Sequence, residues 1–400
     1  MRGGAMARVG RAIVIGGGIG GLTAAVALFQ RGVRVTVLER ADSLEPVGAA
    51  ISLSPNALRA LDVIGLGDDI RALSAFQGEG GLRAPGGRWL HRTDAAAVAE
   101  RFGGPLVLLH RATLVDRLAA RLPDGAVRTA APARLLDPGV PGDPDRPARV
   151  GTPDAELEAD LVVAADGIHS AVRRALFPSH PGTVYSGFTT WRLVLPLPGV
   201  EFASHETWGR GRIWGTHPLK DGSVYAYAAA VAPAGERAPD ERAGLLRRYG
   251  DWHTPIPEVL AAARPEDVLR HDVHHIAEPL PAFHLGRTAL VGDAAHAMPP
   301  TLGQGGNQAV EDAVTLAHHA DDLPAYTAAR LPRTTAITRR AVRAARLNLM
   351  TGRVGTAVRD NALAAVSRAA PTLLLRGFAG IADWHPPQQP YASRTRAGKG

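Results

Sequence analysis

The feature that most constrains this chain is Gly16-x-Gly18-x-x-Gly21. It lies between an apolar run at residues 12–15 and a helical pattern through Leu22, Ala25, Val26, Leu28 and Phe29. In a strand–turn–helix unit the first glycine permits the tight turn. The second lets the backbone approach a pyrophosphate, and the third allows close helix–strand packing. The helix start then offers free N–H groups and the positive end of its dipole to phosphate oxygens. Gly32 ends the helical pattern and residues 33–38 alternate like a strand. Glu39 closes that strand, 23 residues after Gly16, where a carboxylate accepts hydrogen bonds from ribose hydroxyls. A lone glycine pattern can be a turn that binds nothing. With strand, helix, strand and Glu39 in order, the spacing predicts a βαβ dinucleotide site. Glu39 would repel a 2′-phosphate, so FAD or NAD fits better than NADP.

A chain of 400 residues with 46% hydrophobic and 21% charged residues has material for two or three domains. No apolar run approaches the ~18 residues that span a bilayer, and the first residues lack a signal-peptide core. We expect a cytoplasmic protein without stable membrane insertion. The absence of cysteine excludes disulfides, thiolate metal sites, thiol nucleophiles and dithiol redox chemistry. Lys220 and Lys399 are the only lysines, and no phosphate loop of the G-x-x-x-x-G-K type exists. The net charge of +7 is uneven: residues 325–400 carry thirteen Arg and Lys against Asp360 and Asp383. No basic–aromatic motif supports nucleic-acid binding. Arg339, Arg340, Arg343 and Arg346 share one helical face. Such a face is usually solvated; the alternative is attraction of NAD(P)H, an anionic substrate or, more weakly, an acidic partner. The pairs His274-His275 and His318-His319 lack accompanying carboxylates at ligand spacing, so no metal site is expected.

Two further strand–turn–helix patterns follow. Leu161 to Ala165 is an apolar strand ended by Asp166-Gly167, with His169, Ser170 and Arg173 beyond it. Arg-Thr-Ala-Leu-Val at 287–291 runs into Gly292-Asp293, then His296, Pro299, Pro300, Gly303, Gln304, Gly305, Gly306, Asn307, Glu311 and Asp312. Between them, residues 181–270 change character: Tyr185, Phe188, Trp191, Phe202, Trp208, Trp214, Tyr225 and Tyr227 cluster, with turn signals such as Asp221-Gly222. We therefore expect an α/β protein with a dinucleotide-binding domain, a second, mainly antiparallel β-sheet domain and C-terminal helices. The predicted dinucleotide-binding domain is discontinuous (8–75, 102–180 and 271–324), and the sheet domain comprises 76–101 and 181–270. A helical segment over 325–385 and a loose tail over 386–400 follow. Residues 137–147, rich in Pro, Gly and Asp, read as a hairpin tip or surface loop.

In this order the three motifs resemble those of the class A, single-component FAD monooxygenases related to p-hydroxybenzoate hydroxylase. The resemblance covers roughly residues 9–320. It implies that the dinucleotide-binding domain is a Rossmann-like FAD-binding domain interleaved with a mainly antiparallel β-sheet substrate domain. Residues 47–58 and Thr190-Trp191-Arg192 resemble the branch of FAD-dependent urate hydroxylases and zeaxanthin epoxidases. The resemblance implies that Gly16, Gly18, Gly21, Glu39 and Arg40 hold the ADP half of FAD. Arg111 would lie near the phosphates and ribityl chain, and Val127 near the adenine. Asp166 would serve FAD and NAD(P)H, and Asp293 would accept a ribityl hydroxyl. Gly303, Gln304, Gly305, Gly306 and Asn307 would present N–H groups to the pyrimidine end of the ring, with Pro300 at its border. It further implies that NAD(P)H reduces the flavin and O2 forms a C4a-hydroperoxide. One oxygen atom then enters a small electron-rich, aromatic or polycyclic substrate by hydroxylation or epoxidation, in bacterial secondary metabolism or aromatic catabolism. The alternatives are a flavin oxidase or reductase without oxygen insertion, and a non-catalytic FAD-binding regulator.

The strand-like segment 208–218 is the candidate substrate-facing element. Arg212, Trp214 and Thr216 share one face; Ile213, Gly215 and His217 share the other. Which face meets the flavin is open, so both Arg212 and His217 are candidates. The urate hydroxylases carry a substrate-binding arginine where Ile213 stands, a departure that argues against urate itself. His296 reads as a packing residue more readily than as an acid or base.

Overall fold

A computed structural model describes residues 9–44, 50–75, 79–370 and 378–388. Part of the 47–58 stretch and the end of the tail lie outside these residues.

The first sheet has six strands in the order His284–Leu285, Thr288–Leu290, Leu161–Ala164, Arg11–Ile15, Arg34–Leu38, Val127–Arg128. The pairs at its centre are parallel. Its middle strands are covered on both sides, which is why they read as unbroken apolar runs rather than alternating ones: Ala12 and Val14 are fully buried, and so are Val162 and Val163. The helices Ile19–Gln30 and Gly305–His318 pack across this sheet. Their approach needs small residues, since a Cβ on Gly20 would sit 3.2 Å from the Ala309 methyl.

The second sheet has seven strands: Leu269–Ile276, Thr183–Pro196, Ser223–Val231, Arg212–Pro218, His205–Trp208, Glu79–Arg83, Trp89–Asp94. All neighbours are antiparallel except His205–Trp208 with Glu79–Arg83. The first of these strands carries the sheet to Ile276, past the expected boundary at 270. One face is backed by the helices Glu241–Tyr249 and Ile256–Ala262, forming a core of Trp191, Leu193, Trp214, Tyr249 and Trp252. The other face packs on different elements: Tyr225 on Leu108 of the strand Val107–His110, and Ile213 and Ala229 on Ala345 and Leu349 at the end of the helix Leu323–Asn348.

Residues 138–147 join the antiparallel strands Arg134–Asp137 and Ala148–Gly151. The C-terminal part is helical at Leu323–Asn348 and Arg353–Ala369. Trp384, just ahead of the tail expected over 386–400, is anchored. Arg59 donates to the Trp384 carbonyl at 2.8 Å, and the guanidiniums of Arg330 and Arg333 lie over the Trp384 ring. Buried cationic side chains that need acceptors pin it down.

Candidate functional site

The three strand ends of the first sheet converge on one crevice. Gly16 adopts φ +109, and a Cβ there would collide with the Ala165 carbonyl; one on Gly21 would collide with the Gly16 carbonyl. Gly18 starts the helix Ile19–Gln30 in extended conformation with no side-chain cap. Among the described residues, the only atom within 4 Å of its missing Cβ, chain neighbours aside, is Arg111 Nη2, at 3.7 Å. Uncapped amides facing a guanidinium across an open gap make a pyrophosphate cradle. Glu39 accepts from the Gly17 amide at 2.6 Å and from the Ala41 amide at 2.9 Å, which holds its carboxylate at the strand end. Arg40 is exposed beside it, and Val127 lies on the neighbouring strand.

Arg111 is reachable by solvent, yet surrounding protein desolvates it and lowers its pKa; Asp293 opposes that shift and Arg192 adds to it. That combination describes a side chain on the floor of an open crevice. Asp293 is exposed, and no hydrogen bond engages its carboxylate among the described residues. Its Oδ1 lies 3.8 Å from where a Cβ on Gly305 would be. Asp166 uses Oδ2 to accept the Val172 amide at 3.1 Å, while its buried Oδ1 has no partner. Gly303 adopts φ +61, and the helix Gly305–His318 has no side-chain cap. A Cβ on Gly306 would meet Ile51 at 2.6 Å. Pro300 is exposed at the start of the short turn Pro300–Leu302. Unpartnered acceptors, uncapped amides and a cradle that side chains would fill all fit FAD.

The side chains of two loop residues are engaged within the protein. Asn307 is fully buried; its Oδ1 accepts the Ser54 amide at 2.7 Å and its Nδ2 donates to Ser52 and Gly303 carbonyls. Gln304 is equally buried, bonded to Asn56, Ser54 and Gln308. Their side chains clamp the loop from behind, leaving only backbone amides for a ligand.

Behind the loop lies a buried ionic network that the sequence reading did not assemble. Arg330, 1% exposed, donates to Asp312 Oδ1 at 2.7 Å and Glu311 Oε2 at 2.5 Å. Asp312 Oδ2 also accepts the Gly292 amide at 2.9 Å and lies 2.5 Å from His296 Nε2. Burial disfavours the Asp312 charge, but His296, Arg330 and the Gly292 amide outweigh it and hold its pKa at about 2. His296 is thus an internal strut. Arg173, 3% exposed, donates to the Ala294 and Ile168 carbonyls and ties the second motif to the third. Arg173 stands in the quoted motif, whereas nothing in the sequence marked Arg330 as its counterpart across the fold.

The second sheet supplies the opposite wall. His217, Tyr227, Glu206 and Arg192 point inward. Tyr227 donates to Glu206 Oε1 at 2.5 Å, and Trp208 Nε1 donates to Oε2 at 2.6 Å. Gly215 makes room for the Tyr227 ring, which a Cβ would overlap. Burial raises the Glu206 pKa, against the two hydrogen bonds. His217 stacks on Tyr227 with ring centroids 5.5 Å apart and pairs through Nδ1 with Ser204 Oγ at 2.7 Å. Burial drops its pKa to about 3, so the ring is neutral at pH 7. Arg192 stands beside the Tyr225 hydroxyl.

Arg212 is a correction. It lies on the outward face, bonds the Arg248 carbonyl and stacks over Tyr249 and Trp252. Side chains two apart on a strand share a face, so Arg212 goes with Trp214 into the outer core and cannot reach the crevice. Trp191, bonded to Glu241 at 2.8 Å, goes the same way, while Arg192 goes inward.

Comparison with known proteins agrees with this geometry. Residues 10–341 match the FAD binding domain family. Aurachin C monooxygenase/isomerase of Stigmatella aurantiaca is 37% identical over 335 residues, 80% of this chain and 85% of that protein. The 3-amino-4-hydroxybenzoate 2-monooxygenase of Streptomyces cremeus is 35% identical, covering 84% and 86% of the two chains. The crystal structure of Klebsiella pneumoniae HpxO complexed with FAD and uric acid superposes with a TM-score of 0.84 at 28% identity, over 93% of this chain and 96% of that one. The chain belongs to the FAD binding domain family and is an FAD-dependent monooxygenase of the class A aromatic-hydroxylase type.

Proposed function

We propose that this monooxygenase hydroxylates or epoxidises a small, planar, electron-rich aromatic molecule carrying an O–H or N–H group. The substrate is held between the Asp293–Gly306 side of the crevice and the inward face of the second sheet. The observation that carries this reading is that face: a stacked His217–Tyr227 pair beside Glu206, with Arg192 at one edge. Reduced by NAD(P)H, the bound FAD supplies activation of O2; the protein supplies position, dryness and proton management.

Gly16, Gly18, Gly21, Glu39 and Arg40 hold the ADP half, with Val127 alongside. Arg111 neutralises the pyrophosphate, and Asp166 and Asp293 accept hydroxyl protons in hydrogen bonds. The amides of residues 303–307 face the ring's pyrimidine end, where fixed donors stabilise negative charge. Pro300 borders the ring with a fixed φ. Neutral His217 has Nε2 available for the substrate, since Ser204 occupies Nδ1. The Tyr227 hydroxyl, anchored on Glu206, orients the ring. Arg192 and Arg111 favour an anionic substrate or the phosphates of the nicotinamide cofactor. Ile213 lies among Ala229, Ala345 and Leu349, so this position offers no guanidinium to a purine; a phenol, aminophenol or hydroxyquinoline fits the wall better than urate.

The test is turnover of purified, FAD-loaded protein with NAD(P)H, labelled O2 and a panel of phenols, aminobenzoates and quinolines. We expect substrate-stimulated NAD(P)H oxidation and one labelled oxygen in the product. NAD(P)H consumption with unlabelled product throughout the panel would overturn oxygen insertion into this substrate class.

A further inference from the structure

A second cavity, of about 310 Å³, lies outside the crevice, between the helix Leu323–Asn348 and residues 275–283. His296 and Ala295 form one wall. Asp293, at the start of the same short helix, is not among the residues lining this cavity. Leu280, Phe283, Ile276, Leu331 and Val342 line the cavity together with the hydroxyl of Thr338 and the His296 ring, so its interior is largely hydrocarbon with a few polar groups. Its rim carries Arg339, Arg343 and Arg346, all exposed.

Their spacing of four and three residues sets the three guanidiniums along one helix face. None of the three makes an ion pair or hydrogen bond among the described residues. Among the described residues Glu278 is the only acid on the lining, which leaves the mouth cationic. Three unpaired guanidiniums bordering a largely apolar hollow differ from a solvated basic face. There the arginines would extend into water with no cavity behind them.

We propose that this cleft binds a small organic monocarboxylate with an apolar body about the size of one ring. Arginine takes a carboxylate through two parallel N–H···O bonds, and the interior rewards desolvation of a hydrocarbon body. The volume sits at the low end for small-molecule sites. That favours a single-ring acid over a dinucleotide, and Glu278 disfavours a densely charged polyanion. The proposal is independent of which substrate the flavin site takes.

The experiment is calorimetric titration of the FAD-loaded protein with 4-phenylbutyrate and, as its uncharged counterpart, 4-phenylbutan-1-ol. We expect saturable binding of the acid and at least about ten-fold weaker binding of the alcohol. The double variant Arg339→Gln/Arg343→Gln, made at exposed unpaired positions, should melt like the parent and reduce acid binding to the level of the alcohol. Val342→Trp, which fills the hollow, should remove binding of both. Tyr227→Phe, in the substrate wall, should leave acid binding unchanged. Absence of saturable binding, equal affinity for acid and alcohol, or undiminished binding by the arginine double variant would overturn the proposal. So would displacement of the acid by NADPH, which would instead make this a nicotinamide-cofactor surface.

Discussion

The front and the back of the loop that follows Leu290 are built on opposite rules. At the front, the Asp293 carboxylate and the first amides of the helix Gly305–His318 have polar capacity that the protein leaves unused. At the back, such groups are engaged: Arg330 bonds Asp312 and Glu311, Asp312 also accepts the Gly292 amide, and Gln304 and Asn307 bond Ser52, Ser54 and Asn56. A ligand site must keep donors and acceptors available, and an unpartnered group in a wet crevice costs little. A buried group without a partner costs its full desolvation. The back therefore holds the front rigid, so that the free groups need not reorganise when a ligand arrives.

The largest expected effect tests the back. Arg330→Met leaves Glu311 and Asp312 buried without their shared cation, and should cost about 3–5 kcal/mol of unfolding free energy, measured by urea denaturation. A loss below about 1 kcal/mol would mean that the network is not what supports the loop. The same network predicts an acid response. Asp312 is held at about pKa 2 in the folded state, below its value in the unfolded chain. Its contribution is fully present above the unfolded carboxylate pKa of about 3.9 and is lost as pH falls toward 2. Asp312→Asn should flatten that part of the stability–pH curve.

The front should behave differently. Asp293→Ala should weaken FAD binding by about 1–3 kcal/mol with little change in melting of the FAD-free protein, read by flavin fluorescence titration. Unchanged flavin affinity would break the assignment of Asp293 to the cofactor. On the second sheet, Tyr227→Phe should lower kcat/KM by about ten-fold, the order of one lost hydrogen bond, with FAD content preserved. Arg212→Gln gives the smallest effect: a kcat/KM within about two-fold of the parent. A loss matching that of Tyr227→Phe would reverse the assignment of the two sheet faces.

Much of this was legible before any coordinates. Gly16, Gly18 and Gly21 were readable because each is needed for a backbone reason, a turn, an approach or a packing distance, and such reasons are local. The apolar strands at 12–15 and 161–164 were readable because burial on both faces leaves an unbroken run. Arg212 was not, because strand periodicity pairs it with Trp214 and Thr216 without saying which face is covered by helices from 241–262. The motif implies backbone contacts from Gln304 and Asn307 and says nothing of where their side chains go. Their side chains in fact point to Ser52, Ser54 and Asn56, some 250 residues away in sequence. Arg330 carries no local signal: its partners sit on another helix.

By itself the sequence determined the order of the three strand–turn–helix units, hence the dinucleotide crevice and the flavin family, because glycine geometry and apolar runs act between near neighbours. The tertiary structure alone decided which sheet face meets the crevice. It also decided which polar residues are saturated behind the loop, and that three arginines on one helix face border a hollow rather than open water alone. Those outcomes depend on what packs against each side chain, and packing partners are set by distant segments of the chain.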